Sequence, residues 1–174
     1  AAGLVARGWL TALIRHLQRD PKIGIIDLVS KGPTHALYAR VMNANLASIM
    51  PQVIAVWCEQ EGHDVTFVCY TGYENLVEAV PDNVDILFIG AFTEAAHLAY
   101  ALSHLYRSHG AVTVLGGPHA RCYPQDASFY FDYVLGFTSK AEIAAWTVRN
   151  SLDAAGAPRS ARLSARPAPA ERLV

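Results

Sequence analysis

Short apolar runs alternate with amphipathic segments along this chain. The run Ile23-Gly24-Ile25-Ile26-Asp27-Leu28 is apolar almost throughout, the mark of a strand covered on both faces rather than half exposed. The same signature returns in DVTFVCY at 64–70, DILFI at 85–89, AVTVL at 111–115 and DYVL at 132–135. Helical periodicity lies between these runs. Leu46, Ile49, Met50, Val53, Ile54 and Trp57 share one side of a helix over residues 46–61, and Gly62 stops it. Shorter or longer helices are predicted over 73–80, 93–109, 123–130 and 139–148, ended in turn by Pro81 and Gly110 where such breakers occur. A further helix is expected over residues 1–20, broken by Pro21, with Leu4, Leu10, Leu13, Ile14 and Leu17 near helical spacing.

Strand followed by helix, five times over, requires right-handed crossovers and a mostly parallel sheet. The expected fold is therefore α/β, a Rossmann-like (flavodoxin-like) doubly wound parallel sheet of five strands with helices on both faces. The expected organisation is an N-terminal helix over 1–21, an α/β domain over 22–150, and a tail over 151–174. The tail is rich in Ala, Pro, Arg and Ser, so it reads as a linker or a disordered segment with little to bury. In a sheet of this kind ligands bind at the carboxyl ends of the strands. The corresponding loops are 29–36, 90–93, 116–122 and 136–138.

Composition narrows the options. The chain has 174 residues, 52% hydrophobic and 17% charged, enough for one well-filled core. A net charge of -1 gives no electrostatic reason to expect nucleic acid as a partner. No apolar run approaches the roughly 20 residues needed to cross a bilayer, so no membrane association is expected. The opening stretch lacks an uninterrupted apolar core and a cleavage site, which argues against a signal peptide. Cys58, Cys69 and Cys122 are far apart and odd in number, so a disulfide framework is not expected and the compartment reads as reducing and cytoplasmic.

Glycine marks three strand ends. Gly116-Gly117-Pro118-His119 follows the fourth strand, Gly90-Ala91-Phe92-Thr93 the third, and Gly136-Phe137-Thr138 the fifth. A single glycine turn is unremarkable, since glycine is the default turn residue. Three on one edge suggest a bulky ligand lying across it, with Gly117 placed so that a branched side chain would intrude on that ligand. Thr93 is also a good N-cap for the helix that follows, and Ser139 or Thr138 for the last one. In the first loop, Val29, Ser30, Lys31, Gly32, Pro33 and Thr34 border the same edge, and Lys31 could meet a phosphate. G-x-x-x-x-G-K-[ST] and G-x-G-x-x-G are absent, so ordinary ATP or NAD binding lacks its motif. No clustered metal-ligand set appears among the seven histidines, and His119 is the one expected near a ligand. No catalytic residue is identified.

The segments LASIMPQVIAVWCEQEGHDV (46–65), DILFIGAFTEAA (85–96), VLGGPHA (114–120) and DYVLGFTSKAE (132–142) together resemble the cobalamin-binding domain of cobalamin-dependent radical S-adenosylmethionine enzymes. The likeness covers residues 22–148. The wider cobalamin-binding fold carries D-x-H-x-x-G, then S-x-L, then G-G. Asp27 and Gly32 stand at the ends of the first motif, with Val29 in place of the histidine. Gly90-Ala91-Phe92 stands in place of S-x-L, and Gly116-Gly117 keeps the last motif. The resemblance implies a cofactor, cobalamin, whose nucleotide tail runs between the strand ends over the glycines while the corrin ring faces a partner domain. It also implies that no histidine ligates cobalt from Val29's position, an alkyl group having no lone pair. His35 would serve only if the first loop folded back. Such enzymes hold S-adenosylmethionine and a [4Fe-4S] cluster on a catalytic domain with C-x-x-x-C-x-x-C, a motif missing here. The expectation is thus a binding module for methyl transfer or radical chemistry, a fragment or a free-standing unit, whose radical S-adenosylmethionine domain is supplied in cis or in trans. A flavodoxin-like or receiver-like binding module, with Asp27 the only candidate phosphoacceptor, stays open beside it. So does a degenerate domain with no cofactor.

Overall fold

In a computed structural model of the chain, the structure describes residues 21–29, 48–70 and 75–147. The strands are β1 (Lys22–Leu28), β2 (Asp64–Tyr70), β3 (Ile86–Ala91), β4 (Val112–Gly116) and β5 (Tyr133–Val134). The helices are α1 (Ile49–Gln60), α2 (Leu76–Ala79), α3 (Ala96–Ser108, entered through a 3-10 turn at Thr93–Ala95), α4 (Pro118–Cys122), α5 (Pro124–Ser128) and α6 (residues 140–147). The strands form one sheet in the order β2-β1-β3-β4-β5, and every pairing is parallel. This is the expected doubly wound α/β fold, with the flavodoxin-like strand order.

Each face of the sheet has its own core. Ile23, Ile25, Ile86, Phe88 and Val114 pack beneath α1 and α6, where they meet Ala55, Cys58 and Ile143. Ile26, Leu28, Leu87, Ile89 and Leu115 point the other way, into α3, α4 and α5 through Ala99, Tyr100, Tyr106, Ala120 and Ala127. The alternation is the two-residue period of a strand with both sides buried, which is why those runs carry so few polar residues. Trp146 of α6 packs edge-on against Phe88 and Tyr133, at ring separations of 5.4 and 5.2 Å, and so pins α6 across β3 and β5.

Several elements differ from the sequence expectation. The expected helix over 123–130 is shorter, Pro124–Ser128, and a second short helix, Pro118–Cys122, precedes it; each is opened by its proline, because proline suits the first helical turn. Thr93 does not cap α3. It lies inside the 3-10 turn and makes no side-chain capping bond. Ser139 does cap α6. Its hydroxyl accepts from the Glu142 N–H, while the Glu142 carboxylate accepts from the Ser139 N–H at 2.8 Å, a reciprocal capping box. Gly62 and Gly110 end their helices at φ of +90° and +87°, as the sequence suggested. The apolar stripe of α1 is displaced: Pro51, Ala55 and Cys58 face the sheet, whereas Ile49 and Met50 are exposed. The helix over 1–20 and the tail over 151–174 lie outside the described residues.

The edge of the sheet at β5 is held by a buried carboxylate. Asp132 accepts hydrogen bonds from the Thr113 N–H at 2.9 Å and the Thr113 hydroxyl at 3.2 Å, and lies 3.5 Å from Arg107 Nε. Its removal would strand a buried N–H and a largely buried guanidinium. Asp132→Ala should therefore cost about 2–4 kcal/mol of folding stability, read from a lowered denaturant midpoint with an unchanged slope.

Candidate functional site

A cleft of about 610 Å³ opens at the carboxyl edge of the sheet. That volume is within the range of small-molecule sites. Its floor is sheet: Ile25 of β1, Phe88 of β3 and Val114 of β4. One wall is the start of α1, with Ser48, Ile49, Met50, Pro51 and Ile54. The opposite wall is the chain after β5, Leu135 through Thr138, and the rim is completed by Phe92, Pro118 and Arg121. The cleft spans the junction of β1 and β3, where the winding reverses and the helices that follow leave on opposite faces.

Of the residues singled out from sequence, Gly90, Ala91, Phe92, Gly116, Gly117, Pro118, Gly136, Phe137 and Thr138 line this cleft together. Ser30, Lys31, Gly32, Pro33 and Thr34 lie outside the described residues, as does His35. Val29 is buried at the end of β1, where its N–H donates to the Tyr70 carbonyl at 3.1 Å, and it does not line the cleft. Thr93 and His119 are likewise absent from the lining.

His119 turns to the opposite face of the sheet. It is 3% exposed and belongs to a chain of polar groups. The Tyr100 hydroxyl donates to Asp126 at 2.6 Å, so its oxygen receives the His119 Nε2–H, also at 2.6 Å. The Thr93 hydroxyl then donates to His119 Nδ1 across 3.4 Å. This ordering suits a neutral imidazole, and burial holds the His119 pKa below its ordinary value, against the opposing pull of Asp126 and with a smaller push from His97. Burial, then the hydrogen bond to Asp126, keeps Tyr100 protonated far above neutrality. Tyr130 stacks on Tyr100 with ring centroids 4.0 Å apart. The histidine after the glycines thus fastens the turn to α3 and α5.

The glycines have different jobs. Gly117 has φ +91°, and a Cβ there would lie 2.9 Å from the Ala91 carbonyl oxygen and 3.1 Å from the Ala91 nitrogen. The backbone turn already requires glycine there, so a branched side chain would meet Ala91 before any ligand. Gly90 makes room for Pro51, whose Cγ would be 2.9 Å from an added Cβ. Gly116 faces the cleft with nothing closer than the Leu135 carbonyl oxygen at 3.9 Å. It is the glycine whose missing side chain leaves open space.

One further anchor sets the α1 wall. Asp27 is 1% exposed, and its carboxylate accepts the Ser48 N–H, tying the entry of α1 to the end of β1. Burial raises the Asp27 pKa above the usual carboxylate range, while the Ser48 bonds pull it back down. Sequence reasoning missed the α1 wall and Arg121. The available signal was Ile49 and Met50, two apolar residues in excess of the stripe that packs on the sheet. Among the described residues no cluster of His, Cys, Asp or Glu could hold a metal ion, and no helix is long and apolar enough to cross a membrane.

Two outcomes follow for stability. Gly117→Ala should lose about 2 kcal/mol or more, since positive φ and backbone overlap both oppose it; Gly116→Ala should melt within a few degrees of the parent. Because the folded-state pKa of His119 is depressed, its contribution is present above the ordinary imidazole value near 6.5 and is lost as pH falls towards the folded value. Urea titrations between pH 7.5 and 5 should show falling stability, and His119→Gln should flatten that slope. No protein-family model, curated protein or solved structure matches this chain.

Proposed function

We propose that this domain is a cobalamin-binding module of the kind that serves a radical S-adenosylmethionine enzyme, with the nucleotide tail in the cleft between α1 and the chain after β5 and the corrin ring at its mouth. The observation that carries the reading is the open space over Gly116. A deep, mostly apolar cleft runs from the β1–β3 junction down onto Ile25, Phe88 and Val114, and three glycine-marked strand ends, Gly90, Gly116 and Gly136, line it. A flat heterocyclic base on a flexible tail suits such a slot, whereas a ring as broad as a corrin must stay outside. Phe92 and Phe137, 47% and 79% exposed, give the mouth apolar surface for a large planar group or for the partner domain that would carry S-adenosylmethionine and the [4Fe-4S] cluster.

Within this reading the chain's own residues bind and orient. Asp27, which accompanies a cobalt-ligating histidine in the wider fold, here holds the Ser48 N–H instead. Val29 is buried and offers cobalt no lone pair. The receiver-like alternative has less behind it, because a phosphoacceptor must be reachable and Asp27 is 1% exposed.

The test is direct. Purified protein mixed with hydroxocobalamin and desalted should keep the corrin absorption bands in near-equimolar amount. Gly116→Leu should lose at least about tenfold in affinity by filling the slot, a loss worth about 1.4 kcal/mol, while remaining folded by circular dichroism. A protein that emerges colourless, or a folded Gly116→Leu with full affinity, would remove the proposal.

A further inference from the structure

Among the described residues the cleft has one charged side chain on its lining, Arg121. Its guanidinium carbon lies 3.9 Å from the centre of the Phe137 ring, on the opposite side of the mouth from α1. This stacking fixes the plane of the guanidinium and uses none of its N–H groups, so the donor fork stays free for a planar or tetrahedral oxyanion. No carboxylate among the described residues pairs with Arg121: the ion pair found there joins Arg107 and Asp132. Gly136 contributes to the placement. A Cβ there would stand 3.3 Å from Arg121 Cγ, so the absence of one lets the arginine stem lie against the chain after β5.

A second, independent observation lies beside it. The hydroxyl of Thr138 is buried and finds no hydrogen-bond partner among the described residues, although Thr138 lines the cleft. Buried hydroxyls are nearly always paired, and one left unpaired costs about 1–3 kcal/mol. It cannot be charged to helix capping, because Ser139 performs that role. An acceptor brought by a ligand would complete it. Among the described residues the lining carries one stacked cation, an unsatisfied hydroxyl, an otherwise apolar slot and no acid, which together select against cationic ligands and for an apolar ring system bearing one oxyanion.

We infer that Arg121 and Thr138 form an oxyanion subsite at the mouth of the cleft, and that the ligand is a phosphate ester of a flat apolar ring system. The inference deepens the cobalamin proposal and rests on the same cleft. Cobalamin's nucleotide tail carries one phosphodiester, and flavin mononucleotide presents the same chemistry from another source.

Two ligand pairs that differ in the phosphate-bearing portion test it: hydroxocobalamin against cobinamide, which lacks the nucleotide and its phosphate, and flavin mononucleotide against riboflavin. Fluorescence quenching or equilibrium dialysis gives the affinities for the parent, Arg121→Ala, Arg121→Lys and Thr138→Val. For whichever phosphate ester the parent holds, Arg121→Ala should weaken binding by about ten- to a hundredfold, as expected for a charge-assisted contact. Arg121→Lys should recover part of that loss, and the phosphate-free partner should bind both variants as it binds the parent. Thr138→Val should weaken the phosphate ester severalfold yet leave the melting temperature of the free protein unchanged or raised, since it removes an unpaired buried hydroxyl. Equal losses for both members of a pair, no loss in Arg121→Ala, or a parent that binds neither phosphate ester would overturn the inference. A parent that holds flavin mononucleotide through Arg121 but not cobalamin would keep the subsite and discard cobalamin. A parent that holds cobalamin indifferently to Arg121 would do the reverse.

Discussion

Neighbouring parallel strands cannot be joined by a tight turn, and the geometry of this protein depends on that constraint. Each connection must cross a face of the sheet, and it does so right-handedly. With β1 in the interior of the order β2-β1-β3-β4-β5, the chain winds first outward to β2 and then back past β1 to β3. The helix after β1 and the helix after β3 consequently cover opposite faces. At their parting the carboxyl ends of β1 and β3 are left without a helix directly over both, and the cleft occupies that place.

Polar contacts built on the buried Asp27, Tyr100 and His119 fix the elements around the cleft. On one side Asp27 receives the Ser48 N–H and fixes where α1 begins. On the other face Thr93, His119, Tyr100 and Asp126 join the end of β3 to α3, α4 and α5. Such chains are favourable only when each member is satisfied, and satisfaction is directional in a way that apolar packing is not. The Gly116-Gly117 turn is thus held from behind by a histidine while its front remains open to the cleft. The contrast with Thr138 is instructive: its hydroxyl is buried, yet lacks a partner among the described residues.

The same residue type fills three roles along one edge. Gly117 is dictated by backbone conformation and by contact with Ala91, Gly90 by the approach of Pro51, and Gly116 by neither. A glycine motif therefore does not translate uniformly into ligand contact. The apolar rim of Ile49, Met50, Phe92 and Phe137 has a comparable ambiguity in sequence, since the same residues would serve equally well inside a core.

The sequence by itself determined the architecture. Five runs with few polar residues, separated by helical periodicity, admit little besides a covered parallel sheet, and Gly62, Gly110 and Ser139 mark helix ends through local conformation and local hydrogen bonding. It also pointed to the edge at which the cleft opens, because glycine accumulates at strand ends that the crossover rule puts on one side. Only the tertiary structure decided which residues on that edge share a cavity. Nothing local distinguishes His119, turned into a polar network, from Pro118 beside it on the rim. Nothing local places Arg121 over Phe137, sixteen positions further along the chain, or brings Pro51 of α1 against Gly90 of β3. Those contacts join segments distant in sequence, and they exist because sheet order and helix packing bring the segments together, a matter on which side-chain periodicity carries no information.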